Sequence, residues 1–94
     1  MYTWVKNAKG SSDDKPPEGY DSWKDFWEEQ TKRKFGKCSN AKCKNDAKVG
    51  GHVEKVYNLL DDKLYIVPLC YDCNNQREYF SFYVLSSELV PIKD

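Results

Sequence analysis

Hydrophobic and polar positions along the chain fall into short blocks with different periods. Tyr2 to Lys6 is built of residue types that favour a pleated, half-buried surface and predicts a first strand. From Asn7 to Tyr20 the period is broken by Gly10, Ser11, Ser12, Asp13, Asp14, Pro16, Pro17 and Gly19, which reads as an exposed loop. Trp23, Phe26, Trp27 and Gln30 then mark one helical face. Ser22 offers an N-cap with Asp25 three residues on, in the manner of a capping box. Glu28–Lys32 and Glu29–Arg33 stand four apart, acid first, and Lys32, Arg33 and Lys34 suit the C-terminal end of the dipole. Gly36 supplies the expected stop.

Beyond a lysine-rich knuckle, Lys37 to Lys48, the chain turns strand-rich. His52 to Leu60, the turn Asp61-Asp62-Lys63, and Leu64 to Leu69 predict a β-hairpin. Cys70-Tyr71-Asp72-Cys73 opens a second helix that runs to about Tyr79, its N-terminus favouring the thiolates and Asp72. Phe80 to Val84 reads as a strand, Ser86-Ser87-Glu88 as a turn, and Leu89 to Ile92 as an extended piece paired with Tyr2 to Lys6. The pattern is α+β, without internal repeats, and 94 residues suffice for one domain.

Composition makes this core thin: 39% of residues are hydrophobic, and much of that is aromatic. A small domain of this kind calls for a metal or disulfides to complete its stability. All four cysteines lie in two close pairs, Cys38-x4-Cys43 and Cys70-x2-Cys73, flanking the strand-rich insert. Zinc takes four soft ligands at tetrahedral corners, and a short loop presents only two of them, so two distant pairs complete the site. One structural zinc per chain is expected, held by Cys38, Cys43, Cys70 and Cys73; disulfides and free or redox thiols are the alternatives. The first residues lack the apolar segment of a secretory signal, and no stretch reaches the ~20 apolar residues of a membrane span. The expectation is a cytoplasmic protein without a membrane partner, in a reducing compartment where thiols stay available for metal.

The formal charge is zero, which excludes global steering toward a polyanion, but charge is segregated. Asp13 to Glu29 carries seven acids and two bases. Lys32, Arg33, Lys34, Lys37, Lys42, Lys44 and Lys48 follow with a single acid, Asp46. This local patch is a candidate for nucleic-acid phosphates, DNA or RNA, with Arg77 added from the second helix and Tyr71 or Tyr79 as stacking partners. The plainer reading is that the lysines solvate the knuckle and offset the negative charge of a zinc tetrathiolate. A protein-interaction module using Tyr2, Trp4 or Tyr20 is a further alternative.

Knuckle, hairpin, then a helix starting at the second cysteine pair is the order of a treble-clef zinc finger. Together with Gly50-Gly51-His52-Val53 and Leu69-Cys70-Tyr71-Asp72-Cys73-Asn74, it resembles the zinc-bearing branch of the HNH endonuclease superfamily over residues 38–77. The resemblance implies a small zinc-stabilised treble clef, 38–79, with an added N-terminal strand, loop and helix, 1–36, and a C-terminal extension, 80–94. It also implies a general-base role for His52 beside a catalytic divalent ion distinct from the zinc. The sequence departs from that pattern where the second ion would be held. Gly51 stands in place of the acid before the histidine, and Arg77 stands where a second helical ligand is usual. The expected function is therefore recognition, nucleic acid leading, without a complete nuclease site; a metal-dependent endonuclease using His52 is the alternative. His52 itself has three readings: a hydrogen-bonded structural histidine, a residual catalytic base, or a zinc ligand replacing a cysteine.

Overall fold

The computed structural model describes residues 1–8, 15–57, 60–61, 63–77 and 79–92. The predicted loop at 9–14, Asp62 of the predicted turn, residues 58–59 of the hairpin and residue 78 of the second helix lie outside them.

Five antiparallel strands form one sheet: β1 (Tyr2–Asn7), β2 (Val49–Lys55), β3 (Tyr65–Leu69), β4 (Ser81–Leu85) and β5 (Val90–Pro91). Their order is β4-β1-β2-β3-β5. The hairpin is as expected in kind, but β2 begins at Val49, with Val49 opposite Leu69 and Val53 opposite Tyr65. Asp61 helps close its far end, accepting from the Tyr65 hydroxyl (2.7 Å) and the Lys63 N–H (3.1 Å).

The last extended piece corrects the expected pairing. β5 lies against β3, Val90 opposite Ile66, whereas β1 is enclosed between β2 and β4. β4 offers β1 five residue pairs, Tyr2–Leu85 to Lys6–Ser81, against the two that β5 makes. Pro91, which has no N–H to donate, fits the short edge strand.

The helix α1 (Trp23–Thr31) starts as predicted, with the Ser22 hydroxyl accepting the Asp25 N–H at 3.0 Å. It ends five residues before Gly36, because Lys32 takes the left-handed conformation (φ 58°). That early turn also redirects the expected i,i+4 ion pairs. Lys32 reaches Glu29 (2.6 Å) and Arg33 reaches Glu88 (2.7 Å), while Glu28 lies near Lys24 and Lys34. The second helix, α2 (Tyr71–Asn74), is a single turn and does not extend to Tyr79. The Asn7 side-chain amide of β1 closes its C-terminal end, donating to the carbonyls of Cys73 (2.9 Å), Asn74 (3.3 Å) and Gln76 (2.9 Å).

Strand alternation divides the core between the two sheet faces. Val5, Val53, Tyr65, Val67, Leu69, Phe82 and Val84 face the cysteines. Ile66 and Val90 face α1, where they pack with Phe26 and Trp27. The adjacent glycines of β2 let a helix approach each face. A Cβ on Gly50 would lie 2.8 Å from Trp23 Cβ, and one on Gly51 would lie 2.7 Å from Asn74 Oδ1.

Candidate metal centre

The knuckle is pinned at its base before it presents any ligand. Lys37 bridges Asp46, the Cys38 N–H donates to the Asn45 carbonyl (2.8 Å), and Ala47 donates to Gly36 (2.9 Å). A tight turn, Cys43 N–H to Asn40 C=O at 2.9 Å, then brings Cys43 back toward Cys38. From the other side, β3 delivers Cys70 to the N-cap of α2, where its sulfur accepts the Cys73 N–H at 3.4 Å. Ser39 N–H to Pro68 C=O and Lys48 N–H to Leu69 C=O, both 2.8 Å, lock the knuckle to the end of β3.

The Sγ atoms of Cys38, Cys43, Cys70 and Cys73 all lie within 4.8 Å of one another, and none is in a disulfide. Cys43 and Cys70 are 3.7 Å apart. Tetrahedral coordination with metal–sulfur bonds of about 2.3 Å separates ligand sulfurs by about 3.8 Å, so the spacing suits a zinc-sized thiophilic ion. Cys38, Cys70 and Cys73 are buried and Cys43 half-buried. Side-chain amides supply outer contacts of the kind that steady metal thiolates: Asn40 donates to Cys73 Sγ (3.4 Å) and Asn45 to Cys70 Sγ (3.7 Å). The two knuckle asparagines, legible only as turn residues, thus also contact the ligands.

Charge explains how such a cluster could take up a cation. Burial pushes the Cys38 and Cys73 thiols up from their ordinary value. Burial pushes Cys70 up as well, but the Cys73 N–H, the Asn45 amide and the neighbouring thiols outweigh it and bring it to about 7. Four sulfurs at this spacing cannot all carry negative charge unless a positive ion sits among them. Among the described residues, this is the one group of three or more His, Cys, Asp or Glu side chains that brings its ligand atoms together in this way.

His52 is not part of it. Its ring lies on the α1 face of the sheet, buried, in edge-to-face contact with Trp23 at 4.8 Å. The zinc-ligand reading of His52 is therefore corrected: strand alternation sends His52 and its neighbour Val53 to opposite faces, and the cysteines share the face of Val53. Glu54 shares the His52 face, as the period of two requires, and lies 3.7 Å from Lys6.

The basic run is divided by the fold. Lys32, Arg33, Lys34 and Lys37 are engaged with Glu29, Glu88, Glu28 and Asp46. Lys42, Lys44, Lys48 and Arg77 are exposed and form no ion pair among the described residues. Free positive charge is thus concentrated around the cysteine knuckle rather than along the whole run. Of the aromatic candidates, Tyr71 and Tyr79 are exposed, whereas Tyr20 packs edge-to-face on Phe26 at 5.4 Å. Among the described residues no helix is long and apolar enough to cross a membrane. Comparison with protein-family models, curated proteins and solved structures finds no match to this chain.

Proposed function

We propose that the chain is a structural-zinc domain of treble-clef type, similar to the zinc-bearing HNH branch, that acts as a nucleic-acid recognition module without a complete nuclease site. The convergence of four thiols from the knuckle and the start of α2 carries the reading. Cys38, Cys43, Cys70 and Cys73 would hold the zinc, which supplies cross-linking and no chemistry of its own in a closed four-sulfur site. Of the knuckle lysines, Lys42 and Lys44 support a polyanionic partner, because no neighbouring described carboxylate pairs with them, whereas Lys48 acts electrostatically on Asp46.

Two packing facts weigh against hydrolysis. The His52 ring is covered by Trp23, which leaves little approach for a phosphodiester. The position before it, Gly51, abuts Leu69 and Asn74, so a metal-binding carboxylate there has no room without displacing them. Elemental analysis of natively purified protein should give one zinc per chain, and a gel shift with mixed oligonucleotides should weaken steeply with salt. Protein without metal, or with two disulfides by mass spectrometry, would defeat the zinc assignment. Nicking of supercoiled plasmid with Mg²⁺ or Mn²⁺ that vanishes in His52→Ala would restore the nuclease reading.

A further inference from the structure

The face of the sheet that α1 covers over β2, β3 and β5 continues across β1 and β4, where Tyr2, Tyr83 and Leu85 are exposed. Tyr2 and Trp4 of β1 and Tyr83 and Leu85 of β4 share that side, since Trp4 stands opposite Tyr83 and Tyr2 opposite Leu85. The rings form one connected surface. Trp4 and Tyr83 lie 3.7 Å apart between centroids, Tyr2 meets Tyr83 edge-on at 6.2 Å, and Tyr57 meets Trp4 edge-on at 6.4 Å. Yet Tyr2, Tyr57 and Tyr83 are 57%, 77% and 36% exposed. Connected aromatic area of this size left in water is expensive, even in a chain that also exposes Tyr71, Tyr79 and Phe80.

Charge at the rim favours one kind of occupant. The Ala41 N–H donates to the Tyr83 carbonyl at 2.9 Å, so the knuckle runs along the outer edge of β4 and brings the unpaired Lys42 to it, with Lys44 close in sequence. A cleft of about 310 Å³, whose lining includes Tyr2, Leu85, Lys37, Asn40, Ala41 and Glu88, joins the face to the knuckle. The acids nearby are already neutralised: Glu54 by Lys6 and Glu88 by Arg33. The same Ala41 contact occupies an outward carbonyl that strand addition by a peptide would need. What remains open is ring surface beside free cations, with Tyr2 and Tyr57 set edge-on to their neighbours and Trp4 and Tyr83 tilted against one another.

We infer that the β1–β4 face is a stacking platform for single-stranded nucleic acid, with Tyr83, Trp4, Tyr57 and Tyr2 meeting bases and Lys42 and Lys44 meeting phosphates. Bases of a single strand expose their π-faces, and aromatic rings on an antiparallel sheet accept them without regard to sequence. In a duplex those faces are stacked away, so double-stranded nucleic acid is the poorer ligand. The inference rests on the recognition reading above and specifies the surface and the form of the partner.

The test uses the metal-loaded 94-residue chain and a fluorescein-labelled oligothymidylate of about twelve nucleotides, within the span of known single-strand sites. Binding is followed by anisotropy at several salt concentrations. Tyr83→Ala should weaken binding roughly 5- to 100-fold, Tyr57→Ala should weaken it in the same direction, and Tyr83→Phe should retain it. Lys42→Ala and Lys44→Ala should each flatten the salt dependence by roughly 0.7 in log–log slope. Circular dichroism of the exposed-site variants should match the parent. Binding untouched by Tyr83→Ala and Tyr57→Ala but lost with the lysines would overturn the platform and leave nucleic-acid recognition standing. A duplex that binds as tightly as the single strand would also overturn it. Failure of every oligonucleotide to bind would remove both readings, and Tyr83-dependent self-association without such binding would assign the face to protein contact instead.

Discussion

The two faces of the sheet are closed by different means. On one, Val5, Val53, Val67, Leu69 and Val84 lie under the cysteine knuckle and the single turn of α2, elements too short to hold themselves. On the other, α1 lays Phe26 and Trp27 over Ile66 and Val90 and is tied down by the Trp27 indole N–H to the Glu88 carbonyl at 2.8 Å. The comparison teaches that one chain can complete its core in two ways: a thiol cluster able to hold a metal where the covering segment is irregular, and aromatic area where it is regular. The faces should therefore fail under different insults.

Metal removal is the harshest of these and should strike the knuckle face. Structural zinc contributes about 10–16 kcal/mol in small peptides, comparable to or above the whole stability of a domain, about 5–15 kcal/mol. A strong chelator should abolish the cooperative melt and most of the strand signal in circular dichroism, and Cys73→Ser should do the same without chelator. Protein shown by elemental analysis to be metal-free, yet melting like the parent, would erase the distinction between the faces.

Trp27→Ala attacks the other face. It removes the largest fully buried side chain and should cost about 3–5 kcal/mol, read by denaturant unfolding of metal-loaded protein. Zinc stoichiometry should stay at one per chain, because Trp27 packs on the face opposite the cysteines. Joint loss of zinc and stability would mean the faces are not separable.

Asn7→Ala sharpens the contrast at smaller cost. Its amide donates to the carbonyls of Cys73, Asn74 and Gln76 at the end of α2, so the variant removes that donor and leaves the Cys73 carbonyl with the Gln76 N–H. A loss of about 1–3 kcal/mol is expected, with faster zinc release to a competing chelator. Unchanged release kinetics would show that α2 does not need β1 to present Cys70 and Cys73.

How much of this was legible follows from the range of the forces involved. The thiol cluster was, because ligand type and close pairing are local and survive any arrangement of the strands. The start of α1 was, since Ser22, Asp25 and the Trp23–Phe26–Trp27 spacing act within one or two turns. The placement of β5 was not: Val90-Pro91 and Ser81–Leu85 both read as extended, and only their competition for β1 and β3 in three dimensions assigns them. Asn7 was lost for the same reason, as its partners lie 66 to 69 residues away. The side of the sheet to which His52 points follows from alternation once register is known, and the imperfect alternation of 52–60 did not supply that register. The aromatic face of Tyr2, Trp4 and Tyr83 likewise needed the β1–β4 pairing.

The smallest effect concerns a carboxylate that fastens the end of α1 and so belongs wholly to the aromatic face. Glu28 accepts the Phe35 N–H at 2.8 Å and lies 3.6 Å from Lys24 and 3.9 Å from Lys34. The Phe35 hydrogen bond, aided by the two lysines and opposed by burial, holds its carboxyl below the ordinary 4.5. A carboxyl whose folded pKa is depressed stabilises the protein fully above its unfolded value, and that stabilisation is lost as pH falls through the folded one. Acid also protonates thiolates and expels metal, so the melting of the parent alone mixes both faces. The difference between parent and Glu28→Gln isolates the carboxylate, since the metal term is common to the two. At pH 7 the variant should be less stable by up to about 1 kcal/mol, and the gap should close as pH drops below 4.5. A gap that is constant with pH would assign the effect of Glu28 to shape rather than charge. A gap that is absent at neutral pH would show that Phe35 is seated by its contact with Trp27, 5.4 Å between rings, without help from the carboxylate.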